Sequence, residues 1–171
     1  MQDLFLIRRQ DARYAISVFL LLFFSPFASP SISSAEQTED ARILNAAEIA
    51  RNHMVALVEE EVRSLSKRTG IDKIDKRVLD AMRVVPRHDF VPIEIKAYAY
   101  NSHPLPIGHG QNIASPFLIA LMTHLADLAP SDKVFETGTG AGYHAALLSR
   151  LVKDVYSVEV IPMLALSLIH I

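Results

Sequence analysis

The chain has 171 residues, no cysteine and a formal net charge of −2, a length that suits one domain of ~100–200 residues. The lack of cysteine excludes disulfides, thiolate catalysis and Cys-ligated metal, and leaves the redox compartment open. A mildly acidic chain without a Lys/Arg run has no electrostatic reason to seek nucleic acid, so none is expected as a partner.

The first segment differs in composition from the rest. Arg8, Arg9 and Arg13 form a basic start, residues 14–24 are apolar and uncharged, and Ser25-Pro26 and Ser29-Pro30 end the run. Ser33-Ser34-Ala35 then puts small residues where a signal peptidase reads them. This order gives residues 1–35 as a secretory leader, with an apolar core too short for a comfortable membrane span; an uncleaved anchor is the alternative. A genuine leader implies a periplasmic or secreted protein. Without residues 1–35, which hold three Arg and two Asp, 14 basic and 17 acidic residues remain, a net −3.

Residues 36–40 are polar and expected to be irregular. From Ala41, the apolar residues Ile43, Ala47, Ala50, Met54, Leu57 and Leu65 recur at helical spacing with charges opposite, and Thr69-Gly70 stops that helix. A second helix fits residues 76–84, burying Val78, Leu79 and Met82. Pro86 and Pro92 bracket a stretch expected to be extended or turning, in which Arg87-His88-Asp89 reads as exposed charge. Residues 102–110, rich in Pro and Gly, read as a loop. Pro116 suits the first turn of a helix capped by Ser115 and running to about Leu128. Residues 133–137 form a buried-type strand, 143–151 a helix and 155–159 a second strand. Strand, glycine turn, helix and strand make one βαβ unit of a parallel sheet, hence an α/β fold.

The chemistry concentrates in that unit. Gly138, Gly140 and Gly142, with Thr139 between them, let the backbone turn tightly and admit a ligand, and the following helix start offers unpaired N–H groups. Glu159 ends the next strand, 17 residues after Gly142, where a carboxylate can accept hydrogen bonds from both ribose hydroxyls. A nucleoside-containing cofactor is therefore expected. Gly140-Ala141-Gly142-Tyr143-His144-Ala145 also satisfies the dinucleotide pattern with Ala last, which leaves a nicotinamide cofactor open on spacing. Glu136 weighs against it, because a carboxylate before the first glycine repels a pyrophosphate but suits the cationic S-adenosyl-L-methionine.

Val134-Phe135-Glu136-Thr137-Gly138-Thr139-Gly140-Ala141-Gly142-Tyr143 resembles the first cofactor motif of the protein-L-isoaspartate O-methyltransferase family, and Val155-Tyr156-Ser157-Val158-Glu159 its next strand. Upstream, Val78-Leu79-Asp80-Ala81-Met82 with Val85-Pro86-Arg87-His88-Asp89-Phe90-Val91-Pro92 is similar to the family's amino-terminal segment. So is Ala97-Tyr98 leading into Pro104-Leu105-Pro106-Ile107-Gly108-His109-Gly110-Gln111. The resemblance covers about 110 residues in order. It implies a Rossmann-like S-adenosylmethionine-dependent methyltransferase fold with an N-terminal helical segment, and Glu136, Gly138, Thr139, Gly140, Gly142 and Glu159 as cofactor residues. It also implies methylation of the free carboxylate of L-isoaspartyl and D-aspartyl residues in damaged proteins, which become the partners of a monomer. The family default for location is cytoplasmic.

The sequence departs from the family's substrate loop, which reads Gly-Gln-Thr-Ile-Ser-x-Pro. Gly110-Gln111-Asn112-Ile113-Ala114-Ser115-Pro116 puts Asn112 at the threonine and Ala114 at the active-site serine. Ser115 becomes the candidate catalytic hydroxyl, with Asn112 and Ile113 as substrate-contacting residues. The family would continue past Glu159 with a helix and further strands. Here residues 160–165 suit the start of that helix, and 166–171 read as an aberrant tail of a truncated, incomplete fold. The expected division is a leader over 1–35, a helical and substrate-loop segment over 36–131, and the start of the cofactor domain over 132–165. A methyltransferase with another acceptor, or an inactive cofactor-binding remnant, is the competing reading. No metal is expected, since His103 and His109 have no carboxylate beside them. His144 is assigned to solvent or cofactor, and Tyr98 and Tyr100 to packing or a peptide groove.

Overall fold

The computed structural model describes residues 7–8 and 34–167. Most of the expected leader, and residues 168–171 of the expected tail, lie outside the described residues. Among the described residues, no helix is long and apolar enough to cross a membrane.

Helix α1 (Ser34–Thr69) takes in residues 36–40, which were expected to be irregular; Glu and Gln are good helix formers and extend the pattern. Its buried face is Met54, Val55, Val58 and Val62, whereas Ile43 is 60% exposed. The apolar periodicity therefore locates the helix correctly, but the packed stripe lies on its C-terminal half and includes valines that the expected stripe omits. Gly70 ends the helix at φ +73°, its N–H donating to the Ser66 carbonyl at 2.8 Å.

Helix α2 (Lys76–Val84) has the expected bounds and buries Val78, Leu79, Ala81 and Met82 against the core. Its cap is Asp75, whose carboxylate accepts the Arg77 N–H at 2.8 Å. Of the two forms expected for the proline-bracketed stretch, it turns, as a 3-10 helix over Arg87–Phe90, and a second one, Ile93–Tyr98, follows Pro92. Pro86 and Pro92 each open a turn whose i+3 N–H, from Asp89 and Ile95, returns to the proline carbonyl at 3.0 Å.

The Pro/Gly-rich loop is in part a hairpin. Strands β2 (Leu105–Gly108) and β3 (Gln111–Ile113) pair antiparallel, with Leu105 opposite Ile113 and Pro106 opposite Asn112. His109 and Gly110, both at positive φ, make the two-residue connection that a right-handed hairpin twist requires. Helix α3 (Pro116–Leu125) follows, shorter than expected, and buries Ile119, Ala120 and Thr123; Leu118, Met122 and Leu125 lie exposed.

The βαβ unit consists of β4 (Lys133–Thr137), α4 (Tyr143–Leu148) and β5 (Asp154–Val158). The strands are parallel and in register from Lys133 opposite Asp154 to Thr137 opposite Val158. The two-residue strand β1 (Ile7–Arg8) pairs antiparallel with the other edge of β5. Among the described residues, the second edge of β4 has no partner strand. β4 is not the buried strand its apolar character suggests: the face that carries Lys133, Phe135 and Thr137 is exposed, Phe135 by 61%, while Val134 and Glu136 on the other face are half-buried. Helix α5 (Pro162–Ser167) closes the described chain and takes up Leu166 and Ser167 from the expected tail. The core joins α1, α2, α3 and α4 through Met54, Val55, Met82, Ala120, Tyr143 and Leu147, all under 2% exposed. It thus fixes the glycine turn relative to the hairpin and the helical segment.

Candidate functional site

The site is built where β4 and β5 end side by side. Beyond Thr137 the chain turns back at Gly138, at φ +79°, so that the N–H groups of Gly138 and Thr139 both reach the Val158 carbonyl, at 2.8 and 3.1 Å. Gly140, at φ +56°, is held from the other side: its N–H donates to Glu159 Oε2 at 2.8 Å. The second oxygen of Glu159 accepts the Ile161 N–H at 2.9 Å. Glu159 is buried, and it braces the turn and the entry to α5 together. Gly142 closes the turn through its N–H to the Thr139 carbonyl at 2.9 Å and serves as the N-cap of α4. That helix ends at Leu148, three residues earlier than expected.

Glu136 lies next to this turn on β4. Its Oε1 is 3.0 Å from His144 Nδ1, and its Oε2 accepts the Ser157 hydroxyl. The sequence placed a negative group beside the ligand loop. It gave no sign that a histidine assigned to solvent or cofactor would face that group from α4.

The hairpin meets the turn directly. A Cβ built on Gly140 would lie 3.4 Å from Ile107 Cδ1, at the limit of ordinary van der Waals contact, so β2 packs closely on the turn, and what calls for glycine there is its φ of +56°. A cleft of about 280 Å³ opens beside this contact, lined by Phe90, Val91, Ile107, Ala141 and Leu164, with Asp89 among its lining residues. It has the largely apolar wall with few polar groups that is usual for ligand clefts.

The substrate-loop candidates occupy β3 and its exit. Asn112 is exposed and Ile113 is buried in the core. Ser115 caps α3, its oxygen accepting the Leu118 N–H at 3.3 Å. Ala114 is half-buried, and its carbonyl is held by a residue that the sequence had assigned to exposed charge. Arg87 is 0% exposed: Nη2 donates to the Ala114 carbonyl at 2.7 Å and Nε to the Ala99 carbonyl at 2.9 Å. Its guanidinium carbon lies 4.9 Å from the Tyr143 ring centroid, a cation–π arrangement. Burial pulls the Arg87 guanidinium below its ordinary range, against the opposing pull of Tyr143. The Tyr143 phenol is pushed up to about 12 by the same burial, and the neighbouring Arg87 charge opposes the rise. Nothing in the composition of residues 86–92 marked Arg87 as interior, since arginine is mostly exposed and only its distant carbonyl partners identify it.

The remaining candidates separate. Tyr100 OH lies 2.6 Å from His88 Nδ1, and burial raises its ionisation above the usual phenol range. Tyr98 is exposed on the neighbouring turn. His103 contacts Asn101 and the Pro104 carbonyl. Among the described residues, no three His, Cys, Asp or Glu side chains are grouped to hold a metal ion.

A sequence model described as protein-L-isoaspartate(D-aspartate) O-methyltransferase matches residues 56–168. The chain is 41% identical to a protein-L-isoaspartate O-methyltransferase 2 of Syntrophobacter fumaroxidans over 90% of its length and 60% of the relative's. It is 47% identical to one of the same name from Nitrosococcus oceani over 68% of its length and 53% of that protein's. A solved structure of a protein-L-isoaspartate O-methyltransferase aligns with a TM-score of 0.50 and 25% identity, covering 66% of this chain and 37% of that one. The chain thus spans a little over half the length of these two curated relatives.

Proposed function

The chain belongs to the protein-L-isoaspartate(D-aspartate) O-methyltransferase family, and on that premise we propose that it serves protein repair by methylating the free carboxylate of isoaspartyl and D-aspartyl residues. Its fold is Rossmann-like α/β with an N-terminal helical segment, whose first βαβ unit is β4–α4–β5. The observation that carries the proposal is the glycine turn braced by the buried carboxylate of Glu159 and flanked by that of Glu136.

The residues present fit S-adenosyl-L-methionine. Each Glu159 oxygen accepts one backbone N–H and keeps a lone pair with which to accept a ribose hydroxyl. Gly138, Gly140 and Gly142 present backbone without bulk, Thr139 between them turns its hydroxyl inward to Ser157, and the two carboxylates give the turn a negative character that suits a cationic sulfonium and opposes a pyrophosphate. When bound, the cofactor supplies an electrophilic methyl group. The acceptor carboxylate is already a nucleophile at neutral pH, so the protein's task is to hold it in line and exclude water, which can be worth ~7–11 kcal/mol at the upper limit. Asn112, through its amide, and Ser115, whose oxygen accepts the Leu118 N–H but whose proton remains free, are the proposed donors to that carboxylate, with Ile113 beneath them. The substrate segment is residues 36–131 and the cofactor unit 132–165. The partners are damaged proteins and peptides, met by a monomer. If residues 1–35 are a leader, it acts in the periplasm or outside the cell, and otherwise in the cytoplasm.

Two measurements on the full chain test the reading. Calorimetry with S-adenosyl-L-homocysteine is expected to show saturable binding at one site. Incubation with labelled methyl donor is expected to label an isoaspartyl peptide and not its normal aspartyl twin. Absence of binding defeats the cofactor assignment; binding with equal labelling of both peptides, or of neither, defeats the acceptor assignment.

A further inference from the structure

His144 occupies a place that the proposed function does not use. Its Nε2 lies 3.0 Å from Thr123 Oγ1 on α3, and its Nδ1 3.0 Å from Glu136 Oε1 on β4. The Glu136 carboxylate only accepts, so the ring carries a proton at Nδ1 and donates it there. At Nε2 the ring shares a hydrogen bond with the Thr123 hydroxyl, which also lies 2.7 Å from the Ile119 carbonyl.

On the far side of Glu136, Ser157 donates its single proton to Oε2. Its oxygen is then left to accept from Thr139 Oγ1, and Thr139 stands inside the glycine turn. The line runs Thr139 to Ser157 to Glu136, and His144 to Glu136 and to Thr123. Thr123, Thr139 and Ser157 are at most 6% exposed, and the His144 and Glu136 side chains are 23% and 10% exposed. Such buried links are little weakened by competing water. The line joins five elements: the glycine turn, β5, β4, α4, and the helix α3 whose cap is the substrate-loop residue Ser115.

We infer that His144 is a positioning residue, which holds Glu136 and, through Ser157, the Thr139–Gly140 turn in one arrangement and ties that turn to α3. Its consequence for cofactor affinity rests on the function proposed above, whereas the ordering of the turn stands without it. In this role His144 acts through Glu136, the carboxylate it contacts. Leucine at this position fills the space and supplies no donor, leaving Glu136 Oε1 and Thr123 Oγ1 without their partner. Glutamine restores a single donor.

The experiment compares full-length wild type with His144→Leu, His144→Gln and Thr123→Val, reading amide hydrogen exchange in the unliganded chain and S-adenosyl-L-homocysteine affinity by calorimetry. In His144→Leu, exchange at Thr139 and Gly140 is expected to quicken about tenfold or more, while Val55 and Val58 on α1 keep their protection. Affinity is expected to fall about tenfold, with partial recovery in His144→Gln. Thr123→Val should give a smaller change in the turn that does not add to that of His144→Leu. Unchanged exchange at Thr139 and Gly140 in His144→Leu overturns the inference. So does an equal loss of protection throughout the chain in both His144 variants, which would make the side chain a packing element. If wild type binds no S-adenosyl-L-homocysteine yet the turn loosens as expected, the positioning role stands and the cofactor reading fails.

Discussion

Arg87 donates to the Ala114 carbonyl at 2.7 Å and, from the same guanidinium, to the Ala99 carbonyl at 2.9 Å. One buried side chain therefore closes both ends of the segment that carries the β2–β3 hairpin and the proposed substrate loop. Arg87→Met keeps the apolar stem and removes both donors, leaving two carbonyls in the interior without them. A loss of about 2–4 kcal/mol is expected from the urea midpoint, with the slope of the transition unchanged. Arg87→Lys has no planar fork to span both carbonyls and should recover less than half of that loss.

The resemblance of residues 110–116 to the family's substrate loop sets Ala114 against its serine, a proposal that Ala114→Ser tests, since the anchored atom of Ala114 is the backbone carbonyl, which that substitution does not alter. The substitution is expected to leave the unfolding midpoint nearly unchanged and to raise kcat/KM for an isoaspartyl peptide about tenfold, the worth of one added hydrogen bond to a charged acceptor. Initial rates at sub-saturating peptide measure it. No gain would mean that the Ala114 side chain does not face the acceptor.

Ser115 has two roles on offer, helix cap and substrate donor, and they separate by substitution. Ser115→Ala should cost about 1 kcal/mol of stability through loss of the bond to the Leu118 N–H. Ser115→Asp restores the cap but brings a carboxylate that cannot donate. Stability is then expected to recover while peptide affinity falls further. If affinity follows stability in both variants, Ser115 is a cap alone.

Glu159 accepts from Gly140 and Ile161 with its two oxygens. Glu159→Gln keeps one acceptor and turns an NH2 toward the other N–H, and Glu159→Ala removes both. S-adenosyl-L-homocysteine affinity is expected to fall about tenfold in the first and about a hundredfold or more in the second, from lost charge-assisted bonds. Calorimetry reads both. Equal affinities across the three proteins would remove Glu159 from the cofactor site.

Alkaline stability follows from Tyr143. Its phenol ionises at about 12 in the folded chain, against ~10 when unfolded. Below the unfolded value both states keep the proton and there is no pH dependence from this group. Between the two values the unfolded chain releases it first, so stability falls as pH rises, by about 1.4 kcal/mol per unit. Tyr100, raised by burial as well, adds in the same direction. Urea midpoints taken from pH 9 to 12 check the slope, and Tyr143→Phe should flatten it.

What the sequence alone determined was local. The glycine turn was legible because Gly138, Gly140 and Gly142 each take a positive φ that other residues rarely adopt. The limits of α2 were legible from its apolar spacing, and the parallel pairing of β4 with β5 from the βαβ order. What only the tertiary structure decided were the partners of polar side chains. Arg87 reads as surface charge until its acceptor 27 residues away is brought beside it, and His144 as a helix-start residue until Thr123, 21 residues earlier, closes on it. The hairpin within residues 105–113 likewise depends on a register that proline and glycine content conceals. The physical reason is the same in each case. Backbone conformation is set within a few residues by sterics and period, whereas a buried charge or hydrogen bond exists only once packing has removed water from both of its ends.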